Sequence, residues 1–445
     1  MKVNRAKAQV FSIISVCLLA IACQQPTPSS NPTPTATAGD KESHFGMGGG
    51  LPKFADELKE SGSEIVRVWI WWARIEPIND QYNWTEMDET VKSANERNIE
   101  VLGYFAYMPE WAKNMANPKC RETTPKGIPA DPCEPIHWDD FTQFARNVAE
   151  RYDGNHGHGE MRYIELWNEV QGFGWMNSKE YEPWLKQGYQ AVKEGNPNVR
   201  VLVGAVHSPI DFGGGKSGQT TEEFIAAMFR DYSQYYDIFN FHIYQRRDGV
   251  IEEAVNYMKG RMETYNVNKP IWITETATYW PNVTCDNLEW RNEIARGIVK
   301  RYAQALGNGV DKVFWYAFSA LPTIEEDPTG VECKWPTNFL AGGLGWVFPK
   351  GRGLSIDEFH PRPAFNTYRL MTSKLSGFSS VEKIATTQYR FIVNGKNVYV
   401  LWCDTGSCSL PSEISGIVTV TDYLGNEETR QASQIILSET PIFVE

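Results

Sequence analysis

The stretch Ile271-Trp-Ile-Thr-Glu-Thr276 is where the fold of this chain becomes legible. Asn268-Lys-Pro270 leads into it and a long loop follows. An apolar, β-branched run of this length between turn residues predicts a buried strand. The carboxylate at its C-terminal end, Glu275, is costly there unless it is solvated, paired or used. A second stretch, Tyr163-Ile-Glu-Leu-Trp-Asn168-Glu169, has the same form. Two strands that each end in a glutamate point to paired carboxylates, and the rest of the chain tests that idea.

Outward from these two, six further strands are predicted near 44–49, 64–72, 99–106, 199–205, 237–244 and 312–318. Helical periodicity falls between them, near 53–61, 85–97, 138–152, 179–194, 221–231, 250–265 and 288–306, and a last helix near 361–375. Eight strands, each followed by a helix, predict a (β/α)8 TIM barrel over residues 44–376. The apolar runs suit strands covered on both faces. An open doubly wound sheet is the weaker alternative, since no G-x-G-x-x-G follows any strand. Beyond Ser376 the helical period disappears. Clusters such as Asn397-Val-Tyr-Val-Leu-Trp402 and Gly416-Ile-Val-Thr-Val-Thr421, separated by turns, predict a small antiparallel β-sandwich over 377–445. Its expected role is to pack on the barrel; a carbohydrate-binding module is the alternative.

Composition narrows the partners. The 445-residue chain carries a net charge of −12, which argues against nucleic acid or an anionic membrane surface as the main partner. Aromatics make up 13% of it, with 16 Trp, enough for flat apolar faces as well as core. Residues 1–23 form a targeting segment: Lys2, Arg5 and Lys7 precede an apolar run from Val10 to Ala22 that is short for a membrane span. It ends Leu19-Ala-Ile-Ala-Cys23, which resembles a bacterial lipobox with Cys23 as the lipidated residue, although Ala20 stands where Leu is usual. Ordinary secretory cleavage nearby is the alternative. Gln24 would direct such a lipoprotein to the outer membrane. Residues 24–43, rich in Pro, Thr and Ser, read as a tether. Six of the eight cysteines remain beyond Cys23, and an even number in an exported chain favours disulfides. Proximity suggests Cys120 with Cys133 and Cys403 with Cys408, leaving Cys285 with Cys333. Without a C-x-x-C pair or a His cluster in the sequence, no metal or other cofactor is expected; a monomer is.

In a barrel of this kind the active site lies at the C-terminal ends of the strands. Collected there are Arg67, Asn168, Glu169, His242, Tyr244, Glu275 and Trp315. Alternation puts Asn240, His242 and Tyr244 on one face, and would put Ile271, Ile273 and Glu275 on one face. Glu165 shares the parity of Glu169 and rivals it, and Tyr316 competes with Trp315. Alone, Glu169 reads as a solvated loop residue and His242 as a core histidine; it is their joint occurrence at strand ends that points to chemistry.

Through Trp167-Asn168-Glu169, His242-Ile-Tyr244, Ile273-Thr-Glu275 and the closing Pro361-Arg-Pro-Ala364…Tyr368, the chain resembles the retaining glycoside hydrolases of clan A, family 39 most in style. The resemblance implies that Glu169 is the acid/base and Glu275 the nucleophile. It implies that Asn168 binds the 2-hydroxyl of the reacting sugar and that Tyr244 hydrogen-bonds Glu275. Arg67 would favour the ionised form of Glu275, and burial with Glu275's charge would raise the pKa of Glu169. The expected substrate is a β-linked polysaccharide or oligosaccharide. A glycan-binding lipoprotein on a barrel of the same kind and a transglycosylase are the alternatives. Trp71, Trp72, Tyr104, Tyr107, Trp111, Phe173, Trp175, Tyr279, Trp280, Trp335 and Trp346 crowd the same rim, some as core and some as sugar platforms.

Overall fold

The computed structural model describes residues 43–121, 131–172, 176–211, 213, 217–245, 249–278, 288–320, 345–347, 359–361, 363–404, 406 and 408–445. The targeting segment, Cys23, the tether up to residue 42, Cys285, Cys333, Phe173, Trp175, Tyr279, Trp280 and Trp335 lie outside them.

Eight parallel strands close into a barrel in chain order: β1 (Phe45–Gly48), β2 (Ile65–Trp71), β3 (Glu100–Ala106), β4 (Tyr163–Asn168), β5 (Arg200–His207), β6 (Phe239–Ile243), β7 (Ile271–Thr276) and β8 (Lys312–Trp315). β1 pairs with both β2 and β8, which closes the ring. Around it run α1 (Ala55–Glu60), α2 (Trp72–Ile75), α3 (Thr85–Asn95), α4 (Trp138–Arg151), α5 (Ser178–Gly195), α6 (Thr221–Arg230), α7 (Val250–Thr264), α8 (Leu288–Gly307) and α9 (Pro363–Leu375). Local sequence sets several of their ends. Asn177 with Glu180 and Thr220 with Glu223 form capping boxes at the starts of α5 and α6, each cap being worth about 1 kcal/mol.

Strand alternation divides the apolar residues between two cores. Ile65, Leu102, Leu202, Ile238, Trp272 and Phe314 fill the barrel interior. Val66, Val68, Ile164, Val203, Phe241, Ile273 and Val313 belong to the larger core that includes the surrounding helices. On β7 it is therefore Trp272 that points inward, and Ile271 and Ile273 that point outward. The alternation expected for Ile271, Ile273 and Glu275 does not run through to the glutamate. The pairing of β6 with β7 shifts register between Phe241 and His242, where Ile273 is followed by Glu275 as a partner. One extra residue turns the face of everything after it, so Thr274 and Glu275 both reach the interior side.

After β8 come β9 (Ser319–Ala320), β10 (Gly345–Val347) and β11 (Phe359–Pro361), joined in a three-stranded sheet. The C-terminal region is antiparallel, as its alternation predicts. Its strands β12 (Phe378–Ala385), β13 (Gln388–Val393), β14 (Lys396–Leu401), β15 (Ile417–Asp422), β16 (Glu427–Gln431) and β17 (Ile442–Val444) pair in one sheet, order β12-β13-β14-β17-β15-β16. Val398 and Val400 join the main core, while Tyr399 and Leu401 join a small core with Ile414 and Leu437. Thr367 Oγ1 donates to the Tyr423 carbonyl and Lys300 pairs with Asp404 at 2.6 Å, tying this sheet to α9 and α8. The Cys120–Cys133 and Cys403–Cys408 disulfides are both formed. Among the described residues no helix is long and apolar enough to cross a membrane.

Candidate active site

Arg67 is the hub of the strand ends. Inward on β2 and buried, it donates through Nε and Nη2 to Glu165 at 2.8 and 2.9 Å. Its Nη1 donates to Glu275 Oε1 at 2.6 Å and its Nη2 to Asn168 Oδ1 at 2.6 Å. The guanidinium also lies 3.7 Å from the ring centre of Tyr104. Burial works against the charge, but Glu165 and Glu275 outweigh it and keep the Arg67 pKa well above its ordinary value. Glu165 thus stands one layer deeper than the site, paired bidentately and fully buried.

Glu275 has both oxygens engaged. Arg67 takes Oε1, and the Tyr244 hydroxyl donates to Oε2 in a short bond. Tyr244 is itself pinned through its backbone: Asp211 Oδ2 accepts from its N–H, and Arg301 on α8 donates to its carbonyl at 3.2 Å. Burial and the charge of Glu275 push the Tyr244 phenol well above its ordinary pKa, so it stays a donor.

Glu169 follows two residues after a strained turn. Trp167 sits at φ +86° and Glu169 at φ +45°, conformations that side chains other than glycine adopt only when the surroundings enforce them. Leu166 and Trp167 both pack into the outer core, so alternation breaks there and Asn168 swings inward to Arg67. Asp131 holds the strained turn. Trp167 Nε1 donates to it at 3.0 Å, and the Tyr107 and Met108 amides donate at 2.7 and 2.9 Å.

Two histidines bracket the Glu169 carboxylate. His242 Nδ1 lies 2.6 Å from Oε1, and His207 Nε2 on β5 lies 3.5 Å from Oε2. Burial pushes the carboxyl up, but His207, the His242 bond and Arg67 together outweigh it and hold Glu169 down to about 2. This reverses the expectation of a raised value: burial acts in the expected direction, and the two histidines with Arg67 outweigh it. His242 Nδ1 is also 3.6 Å from Glu275 Oε2. One ligating atom each from Glu169, His242 and Glu275 lie within 4.8 Å of one another. Such a trio could in principle hold a cation, but Arg67 and Tyr244 already occupy both oxygens of Glu275.

Trp315 does not join this group. Phe314 fills the barrel interior, so its neighbour Trp315 faces the outer core and is fully buried there. Tyr316 takes the inward place and borders a cavity of about 310 Å³ together with Arg67, Tyr104, Trp69, Trp71 and Gly48 to Leu51. Trp69, two residues beyond Arg67 on β2, is 47% exposed at this mouth. Trp72 is buried, and Trp111 donates to the Glu76 carbonyl. Sequence reasoning missed Trp69, although parity with Arg67 marks it. It also missed His207, although that residue ends β5, and Asp131, which lies in the long loop after β3.

A barrel of this kind, with glutamates meeting from β4 and β7 beside an arginine from β2 and a tyrosine beyond β6, defines a (β/α)8 glycosidase. The model of Glycosyl hydrolase family 53 matches residues 47–308, more than half of the chain. The chain belongs to that family. Comparison with curated protein sequences yields no match. Among solved structures, a family 39 glycoside hydrolase from Bacteroides cellulosilyticus WH2 is similar at TM-score 0.63 and 19% identity, over 91% of this chain and 81% of that one. A conserved exported protein from Bacteroides fragilis is similar at TM-score 0.62 and 14% identity, over 91% and 97%. A GH30 endoxylanase from Clostridium papyrosolvens C71 is similar at TM-score 0.55 and 13% identity, over 91% and 96%. These likenesses are of fold. The strand-end motifs mark the clan that such barrels share, and the family match is to 53.

Proposed function

We propose that the protein is a retaining glycosidase that cleaves β-glycosidic bonds by double displacement. The observation that carries this reading is the close approach of oxygens of Glu169 and Glu275, within 4.8 Å. Retaining enzymes keep their carboxyl groups about 5–5.5 Å apart, whereas inverting ones need roughly 6.5–9.5 Å to admit a water. Glu275, oriented by Arg67 and Tyr244, attacks the anomeric carbon while Glu169 gives a proton to the departing oxygen. In the second step Glu169 takes a proton from water, whose oxygen attacks the same carbon and releases Glu275. Asn168, its Oδ1 held by Arg67, offers Nδ2 to the 2-hydroxyl. Without substrate Glu169 is in the ionised state that the second step needs. Its proton for the first step must be acquired with sugar bound, when the leaving oxygen competes with the histidines for the carboxyl.

The substrate in this reading is a β-linked polysaccharide or oligosaccharide outside the cytoplasm. Residues 44–376 are the catalytic barrel, residues 377–445 the supporting sheet, and Cys23 with the tether of 24–43 the anchor in the cell envelope. The basic and apolar residues before Cys23 support export, and a similar structure is of an exported protein.

The test is hydrolysis of a panel of aryl β-glycosides, with the anomer first released identified by NMR. Glu275→Ala and Glu169→Ala are expected to abolish turnover of unactivated substrates without unfolding the protein. Wild-type-like turnover in either variant, or an inverted first product, would overturn the reading.

A further inference from the structure

Behind His242 lies a hydrogen-bonded chain that begins at Asn240. Asn240, His242 and Thr274 are all fully buried. Asn240 Nδ2 donates to Thr274 Oγ1 at 3.0 Å, and Thr274 Oγ1 lies 3.1 Å from His242 Nε2. The far side of the same ring, Nδ1, lies 2.6 Å from Glu169 Oε1. The register shift that turns Glu275 inward leaves Thr274 inward as well, so one strand supplies both the hydroxyl behind His242 and the carboxylate in front of it.

A hydroxyl has one proton to give. Thr274 accepts from the Asn240 amide and keeps its own proton to give; the Glu169 carboxylate 2.6 Å from Nδ1 calls for the proton of a neutral ring on that nitrogen, which leaves Nε2 bare to take the Thr274 proton. That nitrogen is then an acceptor, and the proton of the neutral ring sits on Nδ1, facing Glu169. The opposite direction would turn the amide and take the Thr274 proton to Asn240 Oδ1. The ring proton would then sit on Nε2, with a bare Nδ1 lone pair against a carboxylate 2.6 Å away. Two acceptors at that distance repel, so the chain runs toward Glu169. Asn240 Oδ1, without a partner, is the one atom of the chain left over.

We propose that Asn240 and Thr274 are positioning residues of the reaction, holding His242 as its Nδ1–H tautomer so that Glu169 always faces a fixed donor. The inference rests on the reading of Glu169 as acid/base. It gives the ionised form of Glu169, needed to activate water, a partner set by buried neutral groups. The charged and titratable groups gathered around Glu169, His242 and Glu275 are Arg67 from β2, Tyr104 from β3, Glu165 from β4, His207 from β5, Tyr244 beyond β6 and Tyr316 beyond β8.

The direct test is long-range 1H–15N NMR of the whole protein labelled in histidine, at neutral pH. The expected spectrum contains a neutral ring protonated at Nδ1 and bare at Nε2, absent in His242→Gln. Thr274→Val, which keeps shape and removes the hydroxyl, is expected to lose that pattern and to lower kcat about tenfold with little change in KM. It should also move the limb of the kcat/KM pH profile that reports Glu169 by about half a unit or more. Thr274→Ser is expected to restore all three. An Nε2–H ring or an imidazolium at His242 in the wild type would overturn the proposal, and so would Thr274→Val with the wild-type spectrum and profile. If Thr274→Val fails to fold, the wild-type spectrum alone decides the tautomer, and the pH profile of Thr274→Ser against that of Asn240→Leu decides the kinetic role. The proposed tautomer without turnover on any β-glycoside would overturn the acid/base reading of Glu169 instead.

Discussion

Replacing Arg67 by Met should be among the most damaging single changes available in the barrel. The side chain is 1% exposed and gives four hydrogen bonds: two to Glu165, one to Glu275 and one to Asn168. Methionine fills much of the stem's volume and supplies none of them. It leaves Glu165, with no exposed side-chain surface, as a buried carboxylate without its guanidinium. Removing one partner of a buried ion pair costs about 3–5 kcal/mol, because the other charge stays behind. For a chain of this size that is a fall in Tm of roughly 3–6 °C. A buried carboxylate without a cation beside it favours its protonated form. A carboxyl raised in this way has its full stability at low pH and loses it as pH rises, so the deficit should shrink between pH 7 and pH 5. Thermal melts followed by circular dichroism at both pH values measure this. The double variant Arg67→Met with Glu165→Leu replaces the bidentate pair by apolar groups and should recover at least half of the loss. A deficit below about 1 kcal/mol, as for an exposed pair, or no recovery in the double variant, would refute the reasoning.

The Glu169 carboxyl, held down to about 2 from an ordinary 4.5, contributes stability present above pH 4.5 and lost as pH falls toward 2. Glu169→Gln should therefore be less stable than the wild type at pH 6, with the difference closing by pH 2; urea melts across that range check it. The Cys120–Cys133 bridge closes a separation of 13 residues, and its replacement by two serines should cost about 3 kcal/mol of stability, with about 2 for Cys403–Cys408 and its separation of 5. Melting of the two double-serine variants against the wild type measures both.

The order of elements was legible in the chain because each barrel strand is a short apolar run and the stretches between them carry helical periodicity, with capping boxes at the starts of α5 and α6. Short-range chemistry of that kind survives folding unchanged. Glu169 and Glu275 could be picked out for the same reason: a carboxylate at the end of an apolar strand is conspicuous wherever the strand lies. What alternation could not supply was the direction of the side chains beyond a break in the strand. Ile271, Ile273 and Glu275 share parity in the sequence, yet a register shift separates Glu275 from the other two. Trp167 at φ +86° does the same for Asn168, and Asp131, 36 residues away, holds it there. Trp315 and Tyr316 exchanged roles because Phe314 occupies the interior.

By itself, then, the sequence determined the barrel and the antiparallel C-terminal region and marked a glutamate at the end of each of two strands, since all of these follow from periodicity and residue type. Tertiary structure alone decided that Glu169 meets His207 and His242, that Arg67 serves Glu165 as well as Glu275, and that the Glu169 carboxyl is held low. Those are contacts between strands far apart in the chain, and proton affinity in a buried site depends on which charges are within a few ångströms.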